Sequence, residues 1–203
     1  MLRNLLGITD PGELARAEAA LSASRLIDLE RRRLPGGYDL AHLRGFHRYI
    51  LGDVYGWAGE LRTVTISKGS LFCLPQHLAL AAAGAFGRLA AVGRLRGLNR
   101  EQFIGQLAEF LADVNALHPF REGNGRAQRA FFSQLAHRHA QRPHRSPAPR
   151  TTRPKRPARR LNLAQQTMTA VPARRVTGQA GNMIARSSSR RHASVLDLLI
   201  TLR

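Results

Sequence analysis

Residues 99–135, NREQFIGQLAEFLADVNALHPFREGNGRAQRAFFSQL, decide the fold of this chain. Apolar residues recur at helical spacing behind Asn99, a residue type that caps helices, so the first part of the stretch is predicted to be a helix. That helix ends at His118 because Pro119 disfavours helical geometry in the residue before it. A loop over 120–125 follows, and a second helix begins at Arg126. The polar residues of this stretch therefore lie between two helices.

The preceding part of the chain is also predicted to be helical. Apolar residues at helical spacing indicate helices over 11–33, 39–51 and 76–92. The one strand signal is the alternation of apolar and polar residues over 61–67, LRTVTIS, after which a turn leads into a second short strand over 71–74. We therefore predict an all-α fold with one small β-hairpin.

The charge of the chain is concentrated at its C-terminal end. The 203 residues include 32 Lys and Arg against 13 Asp and Glu, a formal charge of +19 that suggests a nucleic-acid partner. Residues 1–136 hold 17 of these basic residues and 12 of the acidic ones, which is ordinary for a globular domain. Residues 137–203 form a basic tail rich in Pro and Arg, which we expect to be disordered because it lacks the apolar surface for a core. An out-of-frame, aberrant origin of this tail is the alternative.

Cysteine content and hydropathy indicate the compartment. Cys73 is the single cysteine, so no intramolecular disulfide forms, and a reducing interior is expected. The N-terminus lacks the pattern of a signal peptide, and no apolar run reaches the roughly 18 residues that span a bilayer. The sequence therefore predicts a cytoplasmic protein with no membrane partner.

The loop between the last two helices has the residues of a phosphate site. Gly123, Asn124 and Gly125 directly before a helix expose backbone N–H groups at the positive end of the helix dipole, where anions bind. Arg126 and Arg129 are three residues apart on the first turns and can bind further phosphate oxygens. This pattern indicates a ligand with two or three phosphates.

Two neighbouring residues add a metal ligand and a base. Glu122 supplies a carboxylate beside the predicted phosphate site, which is how proteins usually hold Mg²⁺. His118 can accept a proton from a hydroxyl group at neutral pH. The stretch contains no internal nucleophile, which favours direct in-line attack by a second substrate.

The twelve residues 118–129, HPFREGNGRAQR, resemble the signature H-P-F-x-[D/E]-G-N-G-R-x-x-R of the Fic family at every specified position. Residues 55–62 and 66–69 are similar to the segment that leads into the hairpin flap of that family. The resemblance covers roughly residues 1–140 and implies a mainly helical Fic domain over 1–136. Each residue alone has an ordinary structural interpretation, but the ordered string favours function. For Lys68-Gly69 a simple hairpin turn is an equal alternative.

The resemblance implies transfer of AMP from ATP to a Tyr, Thr or Ser hydroxyl of a target protein. His118 would be the base, Phe120 would anchor the loop in the core, and Glu122 would hold Mg²⁺ on the α- and β-phosphates. The phosphates would be bound by five residues: Gly123, Asn124, Gly125, Arg126 and Arg129. Gly125 favours this reaction, because relatives of the Doc type, which phosphorylate, have a lysine there.

The resemblance also implies a docking element and a regulator. The flap over 64–73, centred on Ile66, Ser67, Lys68 and Gly69, would align the target segment by strand pairing. In many family members an inhibitory glutamate pairs with the arginine equivalent to Arg129. Since Glu122 is the last glutamate of the sequence, the resemblance points to a bacterial toxin whose glutamate comes from a separate small antitoxin. A type II topoisomerase or a small GTPase would be the target.

Two other functions remain open from the sequence. The basic tail, especially residues 137–160, suits nucleic-acid binding through counterion release. A catalytically silent remnant of the family is the other alternative, because the tail stands where family members usually have further helices that close the core.

Overall fold

We describe residues 2–140 of a computed structural model. Residues 141–203 lie outside this range. They include almost all of the tail that the sequence predicts to be disordered or aberrant, and with it the predicted nucleic-acid contacts. Within 2–140 no helix combines the length and apolar character needed to cross a membrane.

Five α-helices make up most of the described residues, which confirms the prediction of a mainly helical fold. They are α1 (Pro11–Arg31), α2 (Leu40–Leu51), α3 (Leu78–Ala91), α4 (Arg100–Leu117) and α5 (Asn124–Ala140). Short 3-10 turns over Pro75–His77 and Gly93–Leu95 precede α3 and follow it. α5 packs against α2 and α4, and α1 packs along α2.

The helices begin where side chains accept hydrogen bonds from the first turn. Asp10 accepts from the N–H of Glu13 at 2.7 Å before α1, and Asp39 caps α2 in the same way. Asn99 and Gln102 form a reciprocal capping box at the start of α4. Side-chain oxygens at these positions satisfy N–H groups that have no partner inside the helix, so the predicted starts of these helices are confirmed.

The hairpin is shorter than predicted. β1 (Ser67–Lys68) pairs with β2 (Ser70–Leu71) in antiparallel register around Gly69, whose φ is +74°. The strands predicted over 61–67 and 71–74 are wrong at most of these positions. The reason is that the backbone on either side of the hairpin bonds to the end of α4 and to the loop that follows it: the N–H of Arg62 donates to the carbonyl of Pro119 at 2.9 Å, and the N–H of Cys73 to that of Ala116 at 3.0 Å.

Phenylalanines fill the main core around α5. Phe131 and Phe132 are fully buried, and their rings lie edge-on to those of Phe46, Phe86 and Phe110 at distances typical of stable aromatic pairs. A second cluster lies between α1 and α2 and contains five buried residues besides Leu14: Ile50, Leu51, Val54, Tyr55 and Ala58. Leu29 of α1 and Ala130 of α5 pack against both clusters, so the two cores are continuous.

α5 continues four residues past the boundary predicted at 136. His139 stacks on Phe103 with ring centroids 3.8 Å apart, and its Nδ1 lies 3.2 Å from the carbonyl oxygen of Leu95. The guanidinium of Arg138 lies over the ring of Tyr38. These contacts join the first residues of the predicted tail to the folded part of the chain.

Candidate active site

The predicted loop joins α4 to α5. α4 ends at Leu117, and the next residue, His118, adopts the left-handed conformation with φ +43° and ψ +62° and so turns the chain away from the helix axis. Phe120 is fully buried, as predicted, and anchors the loop between α2 and α5. α5 then begins at Asn124, so the glycines of the loop lie at a helix N-terminus.

Asn124 holds the loop in shape. Its side chain is 3% exposed, and it accepts a hydrogen bond from the N–H of Phe120 at 2.9 Å and donates one to the carbonyl of Phe120 at 2.7 Å. Both polar atoms of the amide are therefore used inside the loop. The side chain keeps the loop closed, and the second N–H of its amide makes no hydrogen bond within residues 2–140.

The two glycines of the loop differ in what surrounds them. Gly123 has φ +75°, and a Cβ atom there would lie 2.2 Å from Cδ1 of Leu51, so both conformation and space require glycine. A Cβ at Gly125 would lie 3.3 Å from Nη1 of Arg129, which is the flexible end of a side chain. Gly125 and the Arg129 guanidinium are therefore neighbours, and a long side chain at position 125 would compete with Arg129 for space.

Glu122 presents a carboxylate at the mouth of the loop. Its side chain is 51% exposed, and Oε1 accepts a hydrogen bond from the N–H of Gly123 at 2.8 Å. A carboxylate oxygen is the hard ligand that Mg²⁺ prefers, and this one lies beside the N–H groups that would bind phosphate. The residues at this position therefore fit the predicted metal.

The ring of His118 is partly covered by the hairpin. Phe72, the residue after β2, stacks on it with ring centroids 4.0 Å apart and planes 17° apart. Burial lowers the pKa of His118 below 6.5, and the nearby backbone of Asn115 opposes this shift. Within residues 2–140 the buried Nδ1 makes no hydrogen bond of good geometry. The imidazole is therefore neutral at pH 7, the form that a general base requires.

The structure separates the two arginines that the sequence treats alike. Arg126 forms an ion pair with Glu18 of α1 and donates to the hydroxyl of Ser22 at 2.9 Å, with only 20% of its side chain exposed. Arg129 is exposed and has no ion-pair partner within the described part of the chain. Arg129 is thus available to a ligand at the loop, whereas Arg126 is already held there between Glu18 of α1 and the Glu122 carboxylate, whose Oε1 lies 3.8 Å from its Nη2.

Glu18 connects Arg126 to Tyr55. It also accepts a hydrogen bond from the hydroxyl of Tyr55, and burial together with this bond raises the pKa of the phenol. Glu18 therefore bonds both Arg126 and Tyr55 in a largely buried position. The sequence analysis did not identify Glu18, because a glutamate among alanines on a surface helix carries no distinguishing pattern.

Arg62 joins the hairpin to the loop. It is 4% exposed, and its guanidinium donates to four backbone carbonyls, those of Leu117, His118, Val64 and Cys73. The first two belong to the end of α4 and the last two to the two sides of the hairpin. A fixed fork of five N–H donors makes arginine suited to such a junction.

The predicted flap residues lie on this hairpin. Ser67, Lys68 and Gly69 are exposed, and Ile66 is half-buried. The carbonyl of Ile66 accepts from the N–H of Phe72 at 3.4 Å, which continues the hairpin towards the ring that covers His118. The structure therefore brings the flap to the histidine of the signature.

His47 of α2 is a buried histidine that lies beneath the loop, where it contacts Phe120 and the carbonyl of Glu122. It is fully buried, and burial lowers its pKa to about 4, so the ring is neutral. The sequence signal for this role was a histidine on an apolar helical stripe, because a histidine buried there needs hydrogen-bond partners inside the protein.

A protein-family model described as the Fic/DOC family matches residues 37–136. Protein adenylyltransferase VbhT of Bartonella schoenbuchensis is 41% identical over 137 residues, which cover 67% of this chain but 29% of that protein. "Probable protein adenylyltransferase y4lH" of Sinorhizobium fredii is 42% identical over 138 residues, which cover 66% of this chain and 70% of that protein.

A solved structure agrees with these sequence matches. The N-terminal Fic domain of a Bep effector protein from Bartonella quintana, solved with bound ADP, has a TM-score of 0.63 at 28% identity. The match covers 68% of this chain and 72% of that one. The signature, the helical fold and these relatives agree, and the chain belongs to the Fic/DOC family.

Proposed function

We propose that this chain is a protein adenylyltransferase, which transfers AMP from ATP to a Tyr, Thr or Ser hydroxyl of a target protein. The observation that carries the proposal is that a single loop joins a neutral His118 to the Glu122 carboxylate and to the N-terminus of α5, with Arg129 exposed beside it. The names of the relatives and the ADP bound to the Bartonella quintana domain support the same reaction.

In this reaction the target hydroxyl oxygen attacks the α-phosphorus of ATP in line with the leaving group. A new phosphorus–oxygen bond forms, the bond from the α-phosphorus to the bridging oxygen breaks, and pyrophosphate leaves. The hydroxyl proton passes to the ring of His118. The lowered pKa of that ring keeps it unprotonated at pH 7, so it is ready to accept the proton.

The nucleotide would be held mainly by backbone and by one arginine. The N–H groups around Gly123 and Gly125 lie at the N-terminus of α5, where the helix dipole stabilises negative charge. Arg129 would bind the outer phosphates as a charge-assisted donor. Arg126 also reaches the loop, since its Nη2 lies 3.8 Å from Oε1 of Glu122, but its bonds to Glu18 and Ser22 occupy part of the guanidinium, so we assign it the weaker share.

Glu122 would hold Mg²⁺ together with oxygens of the nucleotide. Within residues 2–140 no group of three His, Cys, Asp or Glu side chains forms a complete metal site, so phosphate oxygens would have to complete the coordination. Such an ion would supply positive charge that offsets the negative charge of the phosphates. Because the carboxylate has a second oxygen, Oε2, Glu122 would bind the ion while Oε1 keeps its hydrogen bond to the N–H of Gly123.

The hairpin would align the target. Ser67, Lys68 and Gly69 expose the edge of a two-residue ladder, to which an extended segment could add by main-chain hydrogen bonds. Such pairing fixes the position of a hydroxyl beside His118 and makes few demands on target sequence.

The proposal is tested by incubating the full chain with labelled ATP, Mg²⁺ and a bacterial lysate. We expect one or a few labelled proteins, and no label with His118→Ala. Binding of ATP to the His118→Ala variant separates the loss of a base from the loss of the site. Failure of the wild-type chain to bind ATP would favour a silent remnant, and label that persists in the variant would contradict the role of His118.

We further propose that the chain acts in the bacterial cytoplasm as a toxin restrained by a separate antitoxin. The exposed guanidinium of Arg129 supports this, since a glutamate from a partner could pair with it and block the site of the outer phosphates. A type II topoisomerase and a small GTPase are the two classes of target to test first. Expression should arrest growth, His118→Ala should relieve the arrest, and mass spectrometry of the labelled protein identifies the target.

A further inference from the structure

His47 bonds two separate segments of the chain with its two ring nitrogens. Nδ1 accepts a hydrogen bond from the N–H of Gly59 at 2.8 Å, and Nε2 lies 2.8 Å from the carbonyl oxygen of Glu122. A neutral imidazole that accepts at Nδ1 carries its proton at Nε2, so the network assigns Nε2–H as the donor to Glu122. Both polar atoms of this fully buried ring are therefore satisfied.

The same ring supports three residues of the loop. It stacks on Phe120 with ring centroids 3.9 Å apart and planes 22° apart. It also lies under Gly123, where a Cβ atom would be 3.4 Å from Nε2. Since the carbonyl of Glu122 and the N–H of Gly123 belong to the same peptide unit, the bond from Nε2 fixes the direction in which that N–H points.

We propose that His47 is a positioning residue of the nucleotide site, which orients the peptide between Glu122 and Gly123 through the hydrogen bond from Nε2. This inference deepens the proposed adenylyl transfer and rests on it, because the oriented N–H and the Glu122 carboxylate are the groups assigned to phosphate and Mg²⁺. His47 touches no reacting atom in this assignment. Its bond to Gly59 holds the ring in place, and its bond to Glu122 acts on the loop.

Two amide substitutions separate the two bonds. In His47→Gln the amide group reaches the position of Nε2 and can still donate to the Glu122 carbonyl. In His47→Asn the shorter side chain reaches only the position of Nδ1 and can still accept from Gly59. Each variant keeps one of two bonds, so we expect similar losses in thermal unfolding temperature.

The first readout is amide hydrogen exchange in peptides covering 120–125, measured on the full chain without nucleotide. We expect at least fivefold faster exchange for His47→Asn and close to wild-type exchange for His47→Gln. The second readout is the affinity for a Mg²⁺ complex of a non-hydrolysable ATP analogue. We expect about tenfold weaker binding for His47→Asn, the effect of one lost hydrogen bond, and less than threefold for His47→Gln.

His42 provides the matched control on the same helix. It is buried, and its ring nitrogens bond to the N–H of Tyr38 and the carbonyl of Leu34, which lie away from the loop. His42→Asn should lower stability without changing exchange over 120–125 or nucleotide affinity.

Equal loop exchange in the two His47 variants, or a His42→Asn variant that alters the loop as strongly as His47→Asn, would overturn the assignment. If the wild-type chain fails to bind the nucleotide, the proposed function falls. The exchange comparison still decides the role of His47, because it is measured without nucleotide.

Discussion

The guanidinium of Arg62 donates from Nε to the carbonyl oxygen of His118 at 2.8 Å, so the base of the hairpin and the histidine of the signature are held by one side chain. Three further carbonyls, two on the hairpin and one on α4, accept from the same group. This arginine therefore holds the hairpin to the loop that precedes α5, whereas each strand of the hairpin has only two residues.

Arg62→Lys should uncouple the hairpin from the loop. Lysine keeps the charge but cannot reach four carbonyls at once, and buried carbonyls without donors should lower the free energy of unfolding by about 2–4 kcal/mol. Transfer to the target should fall more than nucleotide affinity, because none of the hydrogen-bond partners of Arg62 belongs to α5. Urea unfolding, nucleotide binding and labelling of the target measure the three effects.

Arg88→Lys is the control for this substitution. Arg88 bonds to Asp113 on the surface with 66% of its side chain exposed, and such pairs contribute at most about 1 kcal/mol. An Arg62→Lys variant that is as stable and active as Arg88→Lys would contradict the role given to Arg62.

Arg126→Ala should lower the stability of the fold, whereas Arg129→Ala should lower the affinity for ATP. Arg126→Ala leaves Glu18 without its main partner in a position where 14% of its side chain is exposed, so we expect a loss of about 2–3 kcal/mol of stability. Arg129→Ala should leave stability within about 0.5 kcal/mol and weaken ATP binding about tenfold or more. Chemical unfolding and calorimetric titration with ATP measure both variants.

Glu18→Gln changes the other partner of the ion pair between Arg126 and Glu18. Glutamine removes the unpaired charge, so the double variant with Arg126→Ala should be more stable than Arg126→Ala alone. No such recovery, or a fully stable Arg126→Ala variant, would mean that the ion pair with α1 does not stabilise the start of α5.

Gly123→Ala should displace the loop. The positive φ of Gly123 costs an alanine about 1–2 kcal/mol, and the contact with Leu51 adds a steric cost. Gly69→Ala isolates the first effect, because Gly69 also has a positive φ but has no atom within 4 Å of an added Cβ. Thermal unfolding should show a larger loss for Gly123→Ala than for Gly69→Ala.

Leu51→Val tests the steric part. Valine lacks the Cδ1 atom that an alanine at position 123 would meet, so it should recover part of the lost stability in the double variant. Equal losses for the two glycine variants, with no recovery, would contradict a steric requirement at Gly123.

Phe72→Ala should move the pH profile of transfer. The base must be unprotonated, so the rate falls as pH drops through the pKa of His118, which burial lowers below 6.5 in the folded chain. Without the ring of Phe72 the imidazole is less buried, its pKa should rise towards 6.5, and the acidic limb of the rate profile should move to higher pH. Phe72→Leu keeps apolar cover and should leave the limb nearer to the wild-type position. An unchanged limb in Phe72→Ala would show that Phe72 does not control the protonation of His118.

Local sequence signals predicted most of the helices. Asp10, Asp39 and Asn99 cap helices where the sequence indicates, because a capping side chain and the N–H group it satisfies are within three residues of each other. The hairpin strands were the main error. The alternation over 61–67 is real, but the N–H of Arg62 bonds to the carbonyl of Pro119 and its guanidinium bonds to carbonyls at the end of α4. Contacts between segments more than 50 residues apart leave no mark in local periodicity.

The sequence alone determined the family, because the twelve residues 118–129 match its signature in one continuous string, and it predicted a base, a metal ligand, an anion loop and two arginines there. The tertiary structure decided what each of them is free to do. Arg126 and Arg129 are equivalent in the signature, yet only packing against α1 places Glu18 beside the first and leaves the second exposed. His47 and Arg62 act on the loop from distant positions, because folding brings their donors to carbonyls that no motif records.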